Sequence, residues 1–573
     1  MTRRRDAPRG ASAGAPAGPR VAALWPWPNF SSVGVMPSRN NPSAVGAGVI
    51  PSGGLPLVGI RFMEVGEDFA CAYAGHLLAL LGAEVIRVPG SSPGAAEAES
   101  WDLDGGKLLF KRAVAAETLA RLPVVAAVDS TGSLRDASYP VIHATPSPSP
   151  ARSWAASGAM GLTGRDDGPP LLAPGDVATC LDGAALAFRL LAAARGFPLS
   201  LDGPALLGER AVHFGHGRHG TVSNGGACHL MAAADGWLAV NLSRDSDLEL
   251  LPAWLEGAVG SDHWASVTSL VQRCSAQPMA DRAQLLGLPV AVVGVTGRPD
   301  QADEQYQVRG QQWPPAPWLH DGTALAPPPP PRVLSDLGQL GPTRHASPRR
   351  PLVVDISALW AGPLAASLLV AAGCRVVKVE DPRRPDPARH GPPAFFDLLQ
   401  GGKENVTVPV AATGPFPALV AGADVVIEAS RPRALEQLGI YAQSHQAWIS
   451  ITGYGRVGPW RNRVALGDDA AAAAGLVTGE DEGGPPLFCA DAAADPITGL
   501  HAAVAALAAV AGGTSGTTDI AMREVVGHVL SHGRRRRPAQ PGDIGSVAPP
   551  RSRTPTRAAA VMGADTDAVL AEL

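Results

Sequence analysis

A long internal repeat constrains the fold of this 573-residue chain more than any other feature. The stretch "EVGEDFACAYAGHLLALLGAEVIRVPG" (64–90) matches "DISALWAGPLAASLLVAAGCRVVKVEDP" (355–382) at an offset of 291 residues. The identical pairs are Ala70 with Ala361, Ala74 with Ala365, Leu77 with Leu368, Leu78 with Leu369, Gly82 with Gly373, Val85 with Val376 and Val88 with Val379. Further on, "LTGRDDGPPLLAPGD" (162–176) matches "VTGEDEGGPPLFCAD" (477–491). The period is far longer than that of a solenoid repeat, so it indicates a duplicated domain.

Each copy reads as strand, helix and strand. In the first copy "LPLVGIRFMEV" and "EVIRV" predict strands around the helix "CAYAGHLLALLGA". In the second, "PLVVDIS" and "CRVVKVE" flank "GPLAASLLVAAG", and "ADVVIEA" and "AWISITGYG" add two more strands before the long helical pattern "DPITGLHAAVAALAAVAG". Two strands joined by a helix within about thirty residues form a parallel pair, so we predict an α/β fold.

The composition divides the chain into six parts. Residues 211–325 combine one half-buried strand pattern, "DGWLAVNL", with two amphipathic helices, and five prolines follow at 327–331. We assign 1–55 as disordered and low in complexity, 56–210 as a first lobe, 211–325 as a small α+β domain, 326–350 as a proline-rich linker, 351–530 as a second lobe, and 531–573 as a linker with a C-terminal helix.

Charge and cysteine content exclude several classes of function. A net charge of −5 gives no general affinity for nucleic acid or anionic membrane, and one "RRRR" at 534–537 in a proline-rich stretch is weak support for either. The apolar run "AAVAALAAVAGG" is too short to span a bilayer. Six scattered cysteines suggest neither disulfides nor zinc, and we interpret His213, His216 and His219 as part of a flexible loop, so we predict no metal. The basic start lacks an apolar stretch behind it, and we expect a cytoplasmic protein.

Several motifs of the second copy occur in one order over about 150 residues. They are "LWAGPLAASLLVAAGCRVVKVEDP", "PDPAR", "LQGGKENVTV", "ADVVIEASRPRALEQLG" and "WISITGYGRVGPW". This region resembles the family III CoA-transferases (CaiB/BaiF type), a group that includes formyl-CoA and carnitine CoA-transferases, with α-methylacyl-CoA racemase as a relative. The resemblance implies two Rossmann-like lobes with one small α+β domain, and CoA with acyl-CoA as the bound species.

Asp495 in "ADPITGLHAAVAAL" stands where this family has its nucleophile. It lies at the predicted start of a helix, where backbone amides and the helix dipole hold a carboxylate ionised. The resemblance implies attack on an acyl-CoA thioester, a mixed anhydride, an aspartyl-CoA thioester and transfer to a carboxylic acid. The alternative is an ordinary N-cap.

The resemblance also assigns residues that contact CoA. The backbone at Gly362 and Pro363 is expected to approach the ligand closely. Four cations are expected to meet its phosphates, each with the alternative of being a solvated surface charge: Lys378, Arg383, Arg389 and Lys403.

Two acids precede the nucleophile position. Racemase relatives carry Gly-His-Asp where this chain has Gly467-Asp468-Asp469, so the histidine of their acid/base pair is replaced here. Asp469 matches the acidic position and is assigned to the active site. Its alternative is a solvated acidic turn.

The first copy lacks the Gly-Pro of the second, because Cys71 and Ala72 stand there, yet Asp176 lies near the nucleophile position. We therefore expect one catalytic lobe and one degenerate lobe, arranged as an intrachain pseudo-dimer or in a homodimer. The leading hypothesis is CoA transfer between an acyl-CoA and a carboxylic acid. The alternatives are an acyl-CoA racemase or isomerase, and a catalytically degenerate acyl-CoA-binding protein.

Overall fold

The computed structural model describes residues 54–88, 102–110, 114–294, 316–321, 330–334, 336, 340–480, 483–532 and 544–573. Within these ranges it contains a six-stranded and a seven-stranded sheet, a three-stranded antiparallel sheet and a two-stranded pair. The α/β class with parallel sheets is therefore confirmed. The segment predicted to be disordered lies outside the described residues except at its last two positions, and "RRRR" lies wholly outside them.

Lobe 1 is built on a parallel sheet. Its strands and helices are β1 (Arg61–Val65), α1 (Phe69–Leu80), β2 (Glu84–Val88), β3 (Leu108–Leu109), α2 (Ala116–Leu119), β4 (Ala126–Asp129), β5 (Val141–His143), α3 (Pro150–Ser157) and α4 (Val177–Ala194). The strands lie in the order β3-β2-β1-β4-β5. Helix α1 begins where the Asp68 carboxylate accepts the Cys71 N–H at 3.1 Å, which satisfies an amide that no helical carbonyl reaches.

The small domain follows lobe 1. Its elements are α5 (Glu209–Phe214), β6 (Cys228–Ala232), β7 (Trp237–Asn241), α6 (Asp245–Leu255), α7 (His263–Val271), α8 (Ala276–Leu286) and β8 (Val290–Val292). The three strands form an antiparallel sheet in the order β6-β7-β8. The helices cover one face of this sheet and bury an apolar core around Trp254 and Leu251.

Lobe 2 repeats the parallel design. Its elements are β9 (Leu319–His320), β10 (Arg332–Val333), β11 (Leu352–Asp355), α9 (Ala361–Ala371), β12 (Arg375–Glu380), α10 (Pro393–Gln400), β13 (Glu404–Thr407), α11 (Pro415–Gly422), β14 (Val425–Glu428), α12 (Pro432–Gln437), β15 (Ala447–Thr452), α13 (Gly467–Ala473), β16 (Val477–Thr478), β17 (Leu487–Phe488), α14 (Ala494–Gly512), β18 (Gly516–Ala521), α15 (Met522–His532) and α16 (Thr566–Leu570). The large sheet has the order β13-β12-β11-β14-β15-β18-β9, with only β9 antiparallel to its neighbour.

The segment 326–350, assigned from composition as a linker, is partly built into the lobes. Strand β10 extends the sheet of lobe 1 beside β3. The Arg344 guanidinium donates to the carbonyl of Gly512 at 2.9 Å, at the end of α14. The proline-rich composition did not reveal these contacts, because a two-residue edge strand leaves no periodic pattern.

Four apolar helices fill the space between the two large sheets. Helix α1 packs on α4, α9 packs on α14, and α4 packs on α14 across the lobes. Small residues allow this close approach: a methyl group on Gly183 of α4 would lie 2.6 Å from the Ala70 carbonyl, and one on Gly499 of α14 would lie 2.6 Å from the Ala361 carbonyl. Helices α4 and α14 have the length and hydropathy of a membrane span, but both are mostly buried inside this core.

The two lobes correspond element by element. Strand β1 starts 291 residues before β11, β2 starts 291 residues before β12, and the five central strands follow the same order. The correspondence supports the duplication hypothesis, which rests on the sequence pattern and on this topology.

One buried ion pair recurs in both lobes. In lobe 1 the Lys107 ammonium donates to Glu64 at 2.9 Å and to the Ala72 carbonyl at 2.9 Å. In lobe 2 Lys403 donates to Asp355 at 2.8 Å and to the Pro363 carbonyl at 3.1 Å. The acids and the carbonyls are both offset by 291 residues. The lysine thus joins the first strand to the first helix in each lobe.

We expect Lys107→Ala and Lys403→Ala each to destabilise the protein by about 3–5 kcal/mol, because a buried carboxylate loses its partner. Urea unfolding followed by circular dichroism measures the loss. Arg383→Ala serves as control, since Arg383 is exposed and pairs with Asp381 at the surface, and it should leave the midpoint unchanged. A Lys403→Ala midpoint equal to that of the control would contradict a structural role for the pair.

Candidate active site

A cleft of about 130 Å³ opens at the carboxyl ends of β11, β14 and β15. This edge is where open parallel sheets place their ligands, because the loops that follow adjacent strands diverge there. The lining residues are Ala358, Leu359, Ala361, Gly362, Ala429, Ser430, Arg431, Pro432, Ile451, Thr452, Gly453, Arg461, Arg463, Val464, Ala465, Leu466, Asp495 and Met522. Asp495 is the one carboxylate among them.

Asp495 sits at the start of α14 and faces the cleft. The N–H of Ala361, the first residue of α9, donates to its carboxylate. The carboxylate therefore lies at the amino ends of two helices, whose dipoles favour a negative charge. Gly467 packs against it so closely that a side chain there would collide with the Asp495 Oδ2 atom.

The pKa of Asp495 is raised to about 7. Burial is the main cause, and the nearby Asp468 and Asp491 carboxylates add to it, while Arg210 and the Ala361 N–H oppose it. An acid with this pKa is about half ionised at pH 7, so it can serve as a nucleophile or exchange a proton near neutrality.

Asp491 holds the cation that faces this acid. Its carboxylate accepts two hydrogen bonds from the Arg210 guanidinium, at 2.9 and 2.7 Å, and lies 3.2 Å from the His216 Nδ1 atom. These partners keep the pKa of Asp491 below its usual value although burial opposes this. Arg210 lies on α5, the short helix that follows lobe 1, so a residue from outside lobe 2 contributes charge to the site of lobe 2.

Asp468 and Asp469 lie behind the cleft. Asp468 is buried and accepts the Ala492 N–H at 3.0 Å, and burial, with a smaller effect of the Asp491 carboxylate, raises its pKa to about 6 although Arg210 opposes this. Asp469 accepts the Leu466 N–H at 3.0 Å and the Asn241 amide at 3.2 Å, and burial raises its pKa well above the usual value. Asp469 joins the small domain to lobe 2 and does not line the cleft, so its assigned place in the active site stays a prediction.

Three non-glycine residues beside the site have a left-handed backbone. Leu359 has φ of 70°, Ala490 has φ of 58° and Ala492 has φ of 45°. This conformation is strained for residues with a Cβ and persists only where the surroundings hold it. The turns at Leu359 and Ala492 position the start of α9 and the start of α14, which are the two helix ends at Asp495.

Cations line the other side of the cleft. Arg461 pairs with Glu436 at 2.5 Å and Arg463 with Asp281 of the small domain at 2.5 Å. Arg431 lies among Arg433, Arg244 and Arg384, and burial together with their repulsion lowers its pKa to about 10. A group of like charges of this kind favours an anion, such as a phosphate.

The structure brings only part of the predicted CoA set to this cleft. Gly362 lines it, and Pro363 is buried in the first turn of α9. Lys403 is buried against Asp355, and Lys378 is buried, pairs with Asp386 at 3.1 Å and donates to the Ser357 carbonyl.

The two predicted arginines also lie outside the cleft. Arg389 pairs with Glu380 at 2.5 Å, and Arg383 pairs with Asp381 at 3.0 Å in an exposed position. The four cations thus have internal partners, and their contact with phosphates stays a prediction.

Sequence reasoning missed the roles of Arg210, His216 and Asp491, and among the arginines of the cleft it missed Arg431 and Arg461. His216 belongs to "HFGHGRHG", which we interpreted as a flexible loop. The repeat itself gave a usable signal, because Asp176 and Asp491 align at the end of the second matched stretch. No spacing rule predicts a partner 281 residues away, such as Arg210 for Asp491.

The first lobe lacks an acid at the position of Asp495. Gly183 and Gly499 make the same contact with the paired residues Ala70 and Ala361, so the two helices can be aligned on these glycines. Four residues before each glycine stand Thr179 and Asp495. Asp176 is instead the N-cap residue of α4 and is buried. The structural counterpart of the candidate nucleophile is therefore Thr179.

Residues 351–533 match the model of CoA-transferase family III. This region belongs to that family. Succinyl-CoA–D-citramalate CoA-transferase of Chloroflexus aurantiacus is 29% identical over 185 residues, which are 28% of this chain and 46% of that protein. Succinyl-CoA:glutarate CoA-transferase of Mus musculus is 31% identical over 168 residues, 26% of this chain and 38% of that protein.

Solved structures of the family match the same share of the chain. A CaiB/BaiF family protein from Brucella suis has 29% sequence identity and a TM-score of 0.29, covering 31% of this chain and 54% of that one. The chain therefore spans less than two thirds of the length of these relatives.

We expect Asp495→Asn to stabilise the protein at pH 8 by about 1–2 kcal/mol after solvent screening. The unfolded carboxyl titrates near pH 4, and the folded one near 7. The cost of ionising Asp495 therefore grows as pH rises between these values, and the gain should be smaller at pH 5. Thermal unfolding at the two pH values measures it.

Asp491→Asn is the matched comparison with the opposite sign. Its folded pKa is lowered by Arg210 and His216, so the ionised form stabilises the protein above the unfolded pKa. We expect a loss of about 3–5 kcal/mol at pH 8, because Arg210 keeps its charge without a partner. If both variants changed the free energy of unfolding by the same amount in the same direction, the site would not shift the pKa values of Asp491 and Asp495 in opposite directions.

Proposed function

We propose that this protein is a CoA-transferase that moves CoA between an acyl-CoA thioester and a carboxylic acid through a covalent intermediate on Asp495. The observation that carries the proposal is the position of Asp495, in a cleft at the sheet edge and at the amino ends of two helices. Membership of residues 351–533 in CoA-transferase family III supports the reaction class. Relatives named as succinyl-CoA transferases support an acid acceptor.

The covalent steps balance with the groups of the cleft and the two substrates. The ionised Asp495 attacks the thioester carbonyl, which forms a mixed anhydride and releases CoA as a thiolate. The thiolate attacks the aspartyl carbonyl of this anhydride, and the first acid leaves as a carboxylate while an aspartyl-CoA thioester remains. The acceptor carboxylate then attacks this thioester, which releases the CoA thiolate and forms a second mixed anhydride. The thiolate attacks the acceptor's carbonyl in this anhydride, so the new acyl-CoA forms and Asp495 leaves as a carboxylate.

The surroundings of Asp495 suit these charge movements. The charge of Arg210, acting through space, and the Ala361 N–H favour the carboxylate of Asp495 in the resting state, and both stabilise negative charge that develops on the carbonyl oxygen of the covalent intermediates. Apolar residues of the lining, among them Ile451 and Met522, exclude water that would otherwise hydrolyse an anhydride. The Arg431 group provides attraction for the phosphates of CoA.

A second candidate function is α-proton exchange on an acyl-CoA. The observation that favours it is the pair Asp468 and Asp495, whose pKa values are raised to about 6 and about 7. Two acids that titrate near neutrality and interact with each other can exchange protons with a carbon acid. Asp468 is buried and absent from the cleft lining, which favours the transferase.

Chemical trapping separates the two functions. The protein is mixed with succinyl-CoA and treated with hydroxylamine or borohydride, and the modified peptide is identified by mass spectrometry. We expect a hydroxamate or an alcohol at Asp495, and loss of at least about 10³-fold in transfer activity for Asp495→Asn. Asp176→Asn is the control from the degenerate lobe and should be trapped and active as the wild type is.

Other outcomes decide against the transferase. Deuterium incorporation at the α-carbon without any adduct supports the racemase or isomerase. Bound CoA without adduct or exchange supports a binding protein. An adduct on another residue rejects Asp495 as the nucleophile while leaving the reaction class in place.

A variant of Arg431 tests the proposed attraction between this arginine and the phosphates of CoA. We expect Arg431→Ala to raise KM for the acyl-CoA about tenfold with little change in kcat, because a charge that binds substrate and transition state equally affects binding only. Steady-state kinetics at two salt concentrations measure this, and the salt dependence should weaken in the variant. Arg349→Ala is the control, since Arg349 is exposed, pairs with Asp424 at 3.1 Å and lies outside the cleft. A fall in kcat with constant KM would contradict a role of Arg431 in binding the phosphates of CoA.

A further inference from the structure

Three histidines meet where the two lobes touch. His76 lies on α1 of lobe 1, and His528 and His532 lie one turn apart on α15 of lobe 2. One ring nitrogen of each lies within 4.8 Å of the others. Histidines at i and i+4 share one helix face, which is a common arrangement for two ligands of one metal ion.

His76 presents a free lone pair to this group. The ring is buried, and the Leu103 carbonyl accepts a hydrogen bond from it. The Nδ1 atom has no hydrogen-bond partner among the residues that the structure describes, so the bond to Leu103 comes from Nε2. A histidine whose second nitrogen donates to a carbonyl is fixed in the tautomer that a metal requires.

The rings are packed around a common centre. The His528 and His532 rings lie 4.5 Å apart at 81°, and the His76 ring lies 5.1 Å from that of His532. The Tyr73 ring closes one side, 5.6 Å from His532. The Tyr73 hydroxyl is engaged with the His501 Nε2 atom at 3.0 Å, so Tyr73 acts as a wall of the group.

The local charges tolerate a cation. Among the described residues, the charge of Lys107 acts on His76, and the Glu64 carboxylate accepts from Lys107 at 2.9 and 3.1 Å. Arg87 is matched by Asp104 at 2.6 Å in the same way. His532 is half-buried, which leaves one side of the group accessible from solvent.

We propose that His76, His528 and His532 form a binding site for one divalent transition-metal ion of the zinc type, which links α1 of lobe 1 to α15 of lobe 2. Neutral imidazole is a preferred ligand of Zn²⁺ and Co²⁺. Bonds of about 2.0–2.1 Å place tetrahedral ligand nitrogens about 3.4 Å apart, so binding shortens the distance between any two of these nitrogens by up to about 1.4 Å. The fourth position remains for a water on the side of His532. The site shares no residue with the cleft at Asp495.

The sequence shows only part of this site, because His528 and His532 stand four residues apart whereas His76 is distant from both in the chain. We predicted no metal because the cysteines are scattered and because we interpreted His213, His216 and His219 as part of a flexible loop. In the structure His213 contacts the Ser552 hydroxyl at 2.8 Å and His216 contacts Asp491, so these do not form the group. The proposed ligands come from α1 of lobe 1 and α15 of lobe 2, and they meet because the two lobes pack together.

Metal titration of the full chain tests the proposal, after proteolytic removal of any purification tag. Co²⁺ is added to the metal-free protein, its visible absorption is followed, and Zn²⁺ is used to displace it. We expect one ion per chain with a tetrahedral spectrum, and an affinity at least about tenfold weaker in His76→Gln and in His532→Gln. His445→Gln is the matched control, since His445 is exposed and distant from the group, and it should bind as the wild type does.

Stability gives a second measurement. Zn²⁺ should raise the Tm of the wild type and of His445→Gln, because an ion that binds only the folded state stabilises it. The rise should be absent in His532→Gln, whose half-buried position allows folding even if the buried His76→Gln does not fold. No stoichiometric binding by the wild type, or unchanged binding by folded His532→Gln, would overturn the site.

Discussion

The buried ion pair of Lys403 and Asp355 fixes how strand β11, the turn that follows it and helix α9 are placed in lobe 2, and the candidate site depends on that placement. Asp355 ends the central strand β11 and also accepts the Ser357 N–H at 3.0 Å, so the pair sets the turn that leads into α9. The Pro363 carbonyl accepts from the same ammonium, which holds the first turn of α9. The Ala361 N–H at this turn reaches Asp495. This ion pair lies outside the cleft, yet it determines the position of the N–H group that donates to Asp495.

The second requirement is the packing of one lobe on the other. Helices α4 and α14 lie against each other in the common core, and the short helix α5 that follows lobe 1 carries Arg210 to Asp491. Without this cation three carboxylates, at 468, 491 and 495, would share one buried region. Their pKa values separate because Arg210 is bound to Asp491 through two hydrogen bonds and acts on Asp468 and Asp495 only through space. The pKa values of the acids in the site of lobe 2 therefore depend on a cation from outside that lobe.

The sequence was sufficient for the α/β fold class. Alternating and helical periodicities predicted the strands and helices of both lobes, and the offset of 291 residues aligns β1 with β11 and β2 with β12. Asp495 was assigned from the family resemblance, and its predicted place at a helix start agreed with that assignment; its role as nucleophile stays a prediction. The four cations were predicted from motif spacing, which is the same for a lysine that points to a ligand and for one that points to an internal acid, as Lys403 does.

Long-range pairings were beyond the reach of the sequence for the same reason. Arg210 with Asp491, and His76 with His528, depend on how preformed lobes pack, and no local pattern encodes that packing.

The asymmetry between the lobes follows from where the small domain is attached. Its contacts at Asp281, Gln284 and Asn241 all reach the loop and helix at 463–469 in lobe 2. This is the wall of the cleft that faces Asp495. The one small domain that the structure describes therefore completes one cleft, that of lobe 2. The equivalent helix start in lobe 1 carries Thr179 instead of an acid. The first lobe needs no acid for its own role, which is to pack α4 against α14, and Arg210 comes from α5, the helix that directly follows it.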